Sequence, residues 1–158
     1  MSESQRVCEF TRVAFPIPKR PQPFSRGQLE FVTVKVLTEL SEAWSVFDQD
    51  SYVQIRKCLE KAAKEQPNKE EPATTDIENV ERVADAFVDI KYFLENGACK
   101  NGVNLSRIFD VVHQANMAKR WPDGTFHLDA TGKVVKPPGW KEPDVEKEVQ
   151  YQMENGSF

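Results

Sequence analysis

Residues 77–100 constrain the fold more than any other stretch of this chain. Val80, Val83, Ala84, Ala86, Phe87, Val88, Ile90, Tyr92, Phe93 and Leu94 cover most of the circumference of a helix, and Asn101-Gly102 ends it with a C-cap signal. A helix that is apolar on most sides must be covered on most sides. One line interrupts the apolar surface: Glu78, Asp85 and Asp89, with Glu81 near its edge and Tyr92 and Phe93 flanking it.

The rest of the chain supplies further helices. Met1 to Phe15 reads as a short helix or arm, and Pro16, Pro18, Pro21 and Pro23 make the following connector extended. Ser25 is the expected N-cap of a long helix over about 26–48, and a second piece covers 52–65. The segment 66–76, QPNKEEPATTD, is polar, broken by proline and expected to be a loop. Asn104 caps a further helix that carries Leu105, Ile108, Phe109, Val112 and Met117 at helical spacing. Beyond Trp121 the dipeptides Asp123-Gly124 and Thr131-Gly132 bracket short apolar runs, as in a small hairpin or irregular arm. The charged tail 141–158 reads as either a terminal helix or a disordered end.

With 158 residues the chain has enough material for one core, so a single domain over 1–158 is expected, with 1–24 as an N-terminal arm. The fold class is therefore all-α: a four- to five-helix bundle with a small C-terminal hairpin or irregular arm. A net charge of -4 argues against nucleic acid or an anionic membrane as partner. No apolar run approaches the roughly 20 residues of a membrane span, and the N-terminus has no signal-peptide core. Three cysteines without ligand spacing read as reduced thiols. A cytoplasmic location is the expectation.

On the first long helix Leu29, Val32, Val36, Leu40, Ala43, Trp44 and Phe47 form an apolar arc, with Glu39 at its edge and Glu42 a turn further on the same side. Glu39 is thus expected to be half-buried. Spacings such as E-x-x-E and D-x-x-x-D are common on solvated helices. Here they sit on helices that are otherwise strongly apolar, and a bundle would bring the two acidic lines together. Two carboxylates about 5 Å apart repel by roughly 3 kcal/mol at an effective dielectric near 20. Such a cluster needs a cation, a shared proton or a basic side chain, and all-oxygen ligation points to Mg²⁺ or Mn²⁺.

These residues resemble the MazG-like, phosphoribosyl-ATP pyrophosphohydrolase-like branch of the all-α nucleotide pyrophosphatases. The resemblance is carried by "EFTRVAFPIPKRP", by "LTELSE" with its Glu-x-x-Glu pair, by "VADAFVDIKYFLENGACKNGVNLSRIFDVVHQANMAKRWPDG", and by "DATGKVVKPPGW". It implies hydrolysis of nucleoside triphosphates or related nucleotides to the monophosphate and pyrophosphate with Mg²⁺ (or Mn²⁺), in the service of clearing nucleotide pools. It implies Glu39, Glu42 and Asp85 as metal ligands, with Glu81 or Asp89 assisting, and a catalytic role for Glu39, Glu42, Asp85 and Asp89. His113, Asn116, Lys119 and Lys136 become candidate contacts to phosphate or sugar, while Tyr92, Phe93, Trp44 or Trp121 would stack on the base. A nucleotide substrate and a homodimer or larger homo-oligomer are the implied partners.

Two positions depart from the family pattern. Thr38 stands where a glutamate usually precedes Glu39, and Arg82 stands where a metal-binding glutamate lies three residues before Asp85. An arginine there can displace a metal. The alternative reading is therefore a non-catalytic homologue that serves as a nucleotide-binding or interaction module.

Overall fold

A computed structural model describes residues 1–65, 71–130 and 132–158. Helices α1 (Glu3–Ala14), α2 (Arg26–Trp44), α3 (Ser51–Glu65), α4 (Asp76–Lys100), α5 (Leu105–Met117) and α6 (Val145–Asn155) are the regular elements among these residues. The chain is all-α. Among the described residues, which leave out Thr131 of the expected Thr131-Gly132 turn, the C-terminal arm carries an antiparallel bridge between Leu128 and Val134. The charged tail resolves as α6, with Asp144 capping the Lys147 amide.

The helix ends follow local chemistry. Ser25 and Gln28 form a reciprocal capping box at the start of α2, and Asn104 accepts the Arg107 amide at the start of α5. Thr75 caps α4 through the Glu78 amide. At the other end of α4, Gly102 at φ 71 takes the left-handed conformation that a residue with a Cβ rarely adopts. The Gly102 and Val103 amides then return to the carbonyls of Cys99 and Ala98. The first long helix ends at Trp44, four residues short of the expected 48. Ser45 terminates it, its hydroxyl donating to the Glu42 carbonyl at 2.6 Å. The loop expected over 66–76 is described from Glu71 onward, and its first five residues lie outside the described set.

The chain divides into two compact units. In residues 21–86, α2 packs on α3, Ser41 and Ser51 share a hydrogen bond of 2.7 Å, and Ile55 is buried beneath them. The proline-rich connector is pinned to α4 by one side chain that mimics a backbone. Asn79 Oδ1 accepts from the Phe24 amide at 2.7 Å, and Asn79 Nδ2 donates to the Phe24 carbonyl at 3.2 Å.

In the unit made of residues 1–20 and 87–158, α5 packs on both α1 and α6. Arg6 pairs with Asp110 while its guanidinium lies 4.8 Å from the Phe109 ring, and Phe10 meets the buried Phe126 at 4.7 Å. Lys91 of α4 reaches Glu3 at 3.0 Å, and that bond holds the Glu3 carboxyl below the usual glutamate range. Arg107 pairs with Glu148 at 2.7 Å beneath the Tyr151 ring.

The buried Gln152 of α6 joins this unit most specifically. It accepts from the Asn104 amide at 2.9 Å and donates to the Asn104 carbonyl at 3.2 Å. Gln152→Ala leaves both backbone groups without their partner, a cost of about 1–3 kcal/mol. The expected result is a melting temperature lower by roughly 5 °C. An unchanged melting temperature would show that water replaces the amide at no cost.

Candidate active site

The acidic residues singled out in the sequence occupy two helices. Glu39 and Glu42 lie one turn apart on α2, and Glu81, Asp85 and Asp89 follow one another at four-residue steps on α4. All five are exposed, which corrects the expectation of a half-buried Glu39. The reason lies in the packing of α2. The position that α3 covers is the small Ser41, 3% exposed, whereas Leu40, Trp44 and Phe47 of the expected apolar arc remain open. Helix α4 likewise has no buried side chain, although its sequence is apolar on most sides.

Three metal-ligating side chains do not converge anywhere among the described residues. The donors nevertheless have the chemistry that a hard cation requires. Each of the five offers only carboxylate oxygens, and none is within ion-pair distance of a basic side chain among the described residues.

Arg82, the departure from the family pattern, points the other way along α4. Side chains on a helix lean toward its N-terminus. The Arg82 guanidinium accordingly pairs with Glu78, one turn back, and donates to the Glu71 carbonyl at 2.7 Å. The same Glu78 accepts the Thr74 amide at 2.8 Å and its hydroxyl at 3.1 Å. These bonds to Thr74, and then the Arg82 charge, hold the Glu78 carboxyl below its usual range. The network directs Arg82 and Glu78 onto the loop end at Glu71–Thr75. Thr38 also satisfies itself locally, donating to the Val34 carbonyl at 2.9 Å.

The candidate substrate residues cluster around the end of α5. His113 stacks on Phe109 at 5.6 Å with the rings nearly parallel. Asn116 accepts from Lys119 at 2.7 Å, and the ammonium groups of Lys119 and Lys136 lie 5.5 and 4.1 Å from the Trp140 ring. Trp140 is the residue that sequence reasoning missed. Its indole donates to the Ala115 carbonyl at 2.7 Å, which fixes it against α5. Of the aromatics considered for base stacking, Trp44 packs edge-on against Phe47, and Trp121 already stacks on His127 at 4.2 Å. Asp123 accepts from His127 at 2.7 Å, and that bond, with those from Thr125, lowers the Asp123 carboxyl to about 2.

A sequence model of phosphoribosyl-ATP pyrophosphohydrolase matches residues 7–116, more than half of the chain. The chain belongs to the phosphoribosyl-ATP pyrophosphohydrolase family. The matched stretch contains all five carboxylates as well as His113 and Asn116. The fold is similar to the crystal structure of a protein from Exiguobacterium sp. 255-15 that carries the provisional description of an NTP pyrophosphohydrolase. The TM-score is 0.84 at 26% identity, over 98% of this chain and 97% of that one. No curated protein matches this pyrophosphohydrolase-family chain by sequence. The all-α expectation and the family resemblance both stand.

Proposed function

We propose that this chain hydrolyses nucleoside triphosphates to the monophosphate and pyrophosphate, clearing nucleotides from the cytoplasmic pool. The observation that carries this reading is the set of five exposed carboxylates, without cationic partners among the described residues, inside the stretch that matches a pyrophosphohydrolase family. Glu39, Glu42 and Asp85 would hold Mg²⁺ or Mn²⁺, with Glu81 or Asp89 completing the set. Such an ion would supply charge neutralisation at the substrate phosphates and would make a nearby water more acidic. A remaining carboxylate, Asp89 or Glu81, orients attacking water by accepting its proton, and the family's chemistry is cleavage of a phosphoric anhydride. Asn116, Lys119 and Lys136 bind the polyphosphate, lysine acting as a mobile point charge. His113, one turn from Asn116 on α5, would contact phosphate or sugar. The acting species is a homodimer or larger, because the open apolar residues of α2 and α4 require covering.

A second reading, a non-catalytic nucleotide-binding module, is favoured by Arg82 at an acidic family position. The pairing of Arg82 with Glu78 weighs against it, since the guanidinium is engaged away from Asp85. Pyrophosphate release from a panel of ribo- and deoxyribonucleoside triphosphates, with Mg²⁺ and then Mn²⁺, separates the two. Release by the natural chain is the expected result, together with a melting temperature raised several degrees by millimolar metal ion. A natural chain that is silent and insensitive to metal, beside an Arg82→Glu variant that turns over, would establish the second reading instead.

A further inference from the structure

We propose that the corner between α4 and α5 holds the base of the substrate, and that Asn96 and Glu95 select bases carrying an exocyclic amino group. This rests on the reading of the chain as a nucleotide hydrolase and names the class of nucleotide it takes.

A cavity of about 370 Å³ opens at this corner, within the size range of small-molecule sites. Tyr92, Glu95, Asn96 and Cys99 line it from the last turns of α4, Leu105 from the start of α5, and Phe158 from the chain beyond α6. Fixed groups build the corner. Gly102 turns the chain out of α4, and Gly156, at φ 84, turns it out of α6. Asn104 Nδ2 then donates to the Ser157 carbonyl at 2.9 Å, which brings Phe158 to the cavity.

The place of the cavity on α4 ties it to a candidate carboxylate. Asp89 and Asn96 are seven residues apart, so they stand nearly in line, about 10 Å from each other along the axis. Tyr92 lies between them on the same side, three residues from one and four from the other. A nucleotide laid along α4 with its phosphates at Asp89 reaches Tyr92 and Asn96 with its base. Adjacent residues of a helix are about 100° apart, so a second copy seated on Phe93 leaves Tyr92 to the ligand.

The polar groups here have no partners of their own. Among the described residues no side-chain hydrogen bond or ion pair engages Tyr92, Glu95 or Asn96, although Glu95 is half-buried. The Asn96 carboxamide offers an acceptor and a donor side by side, the pattern that pairs with an amino group and a nearby ring nitrogen. Glu95 offers only acceptors. An amino group satisfies both. The carbonyl that replaces it in hypoxanthine or uracil turns a lone pair toward the Glu95 carboxylate. The Tyr92 ring supplies a face on which any base can stack.

The test is a titration of the natural chain with adenosine, inosine, cytidine and uridine, followed by amide NMR shifts without divalent metal. Adenosine and cytidine are expected to bind about tenfold more tightly than inosine and uridine, with the Asn96 side-chain amide among the shifted resonances. Asn96→Ala is expected to reduce that preference at least about threefold. Tyr92→Ala is expected to weaken all four at least about fivefold, with Tyr92→Phe restoring them. Asn96 and Tyr92 are exposed, so these variants should keep the melting temperature of the natural chain. A natural chain that binds neither member of a pair, or both equally, overturns the proposal. So does an Asn96→Ala variant with the full preference. The hydrolysis reading fails separately: selective nucleoside binding without triphosphate hydrolysis leaves the pocket standing and removes the enzyme. Hydrolysis of ATP and ITP, and of CTP and UTP, at equal kcat/KM does the reverse.

Discussion

Glu39→Gln is expected to abolish triphosphate hydrolysis while leaving the helical fold and the melting temperature intact. Glu39 is exposed on α2, has no ion-pair partner among the described residues, and lies one turn from Glu42. Glutamine has the same shape and a good helix propensity, so the fold loses nothing. Removing a like charge three residues from Glu42 relieves repulsion and would, if anything, raise the melting temperature slightly. The chemistry loses an anionic ligand. Groups that merely support a metal ligand cost about 10–100-fold when removed, so loss of the ligand itself should cost at least about a hundredfold. Glu60→Gln on α3, another exposed position, is the matched control and should keep full activity. Steady-state hydrolysis and a thermal melt, run on the same preparations, decide the matter. Full activity in Glu39→Gln would remove α2 from the site.

Much of the fold was legible because its signals are local. Ser25, Asn104 and Gly102 act where their chemistry says they must, since a cap depends on a few neighbouring backbone groups. The candidate carboxylates were legible as spacing but their burial was not. Periodicity reports that an apolar face exists, whereas coverage depends on what arrives from elsewhere, and here α3 covers Ser41 while leaving Phe47 84% exposed. Arg82 shows a finer limit. Its pairing with Glu78 follows the four-residue spacing, but its bond to the Glu71 carbonyl depends on where the loop end lies. Trp140 was silent in the sequence for the same reason. Nothing in "KVVKPPGW" announces that a glycine turn will set its ring between two lysines, one of them delivered by α5.

Phe93→Lys is expected to convert a homo-oligomer of this chain into monomers with the helices preserved. Along the second half of α4, Val88 is 65% exposed and Tyr92 and Phe93 are each 71% exposed, with Ile90 and Leu94 also open. Exposed apolar side chains around so much of one helix call for a covering surface, and a second copy presents the same residues. Burying one phenylalanine fully is worth about 1.5–3 kcal/mol, and a two-fold interface contains it twice. The loss is therefore about 3–6 kcal/mol, or roughly 10²–10⁴ in the dissociation constant, before the cost of desolvating two lysines is added. Within its own chain Phe93 contributes little, because α4 has no buried side chain and lysine is the better helix former. Light scattering on a size-exclusion column, across a range of concentrations, reads the mass directly, and circular dichroism confirms the helices. A natural chain that runs as a clean monomer would overturn the homo-oligomer. An oligomer whose mass is unchanged by Phe93→Lys would move the interface to the open residues of α2, with Phe31 and Phe47 the next positions to substitute.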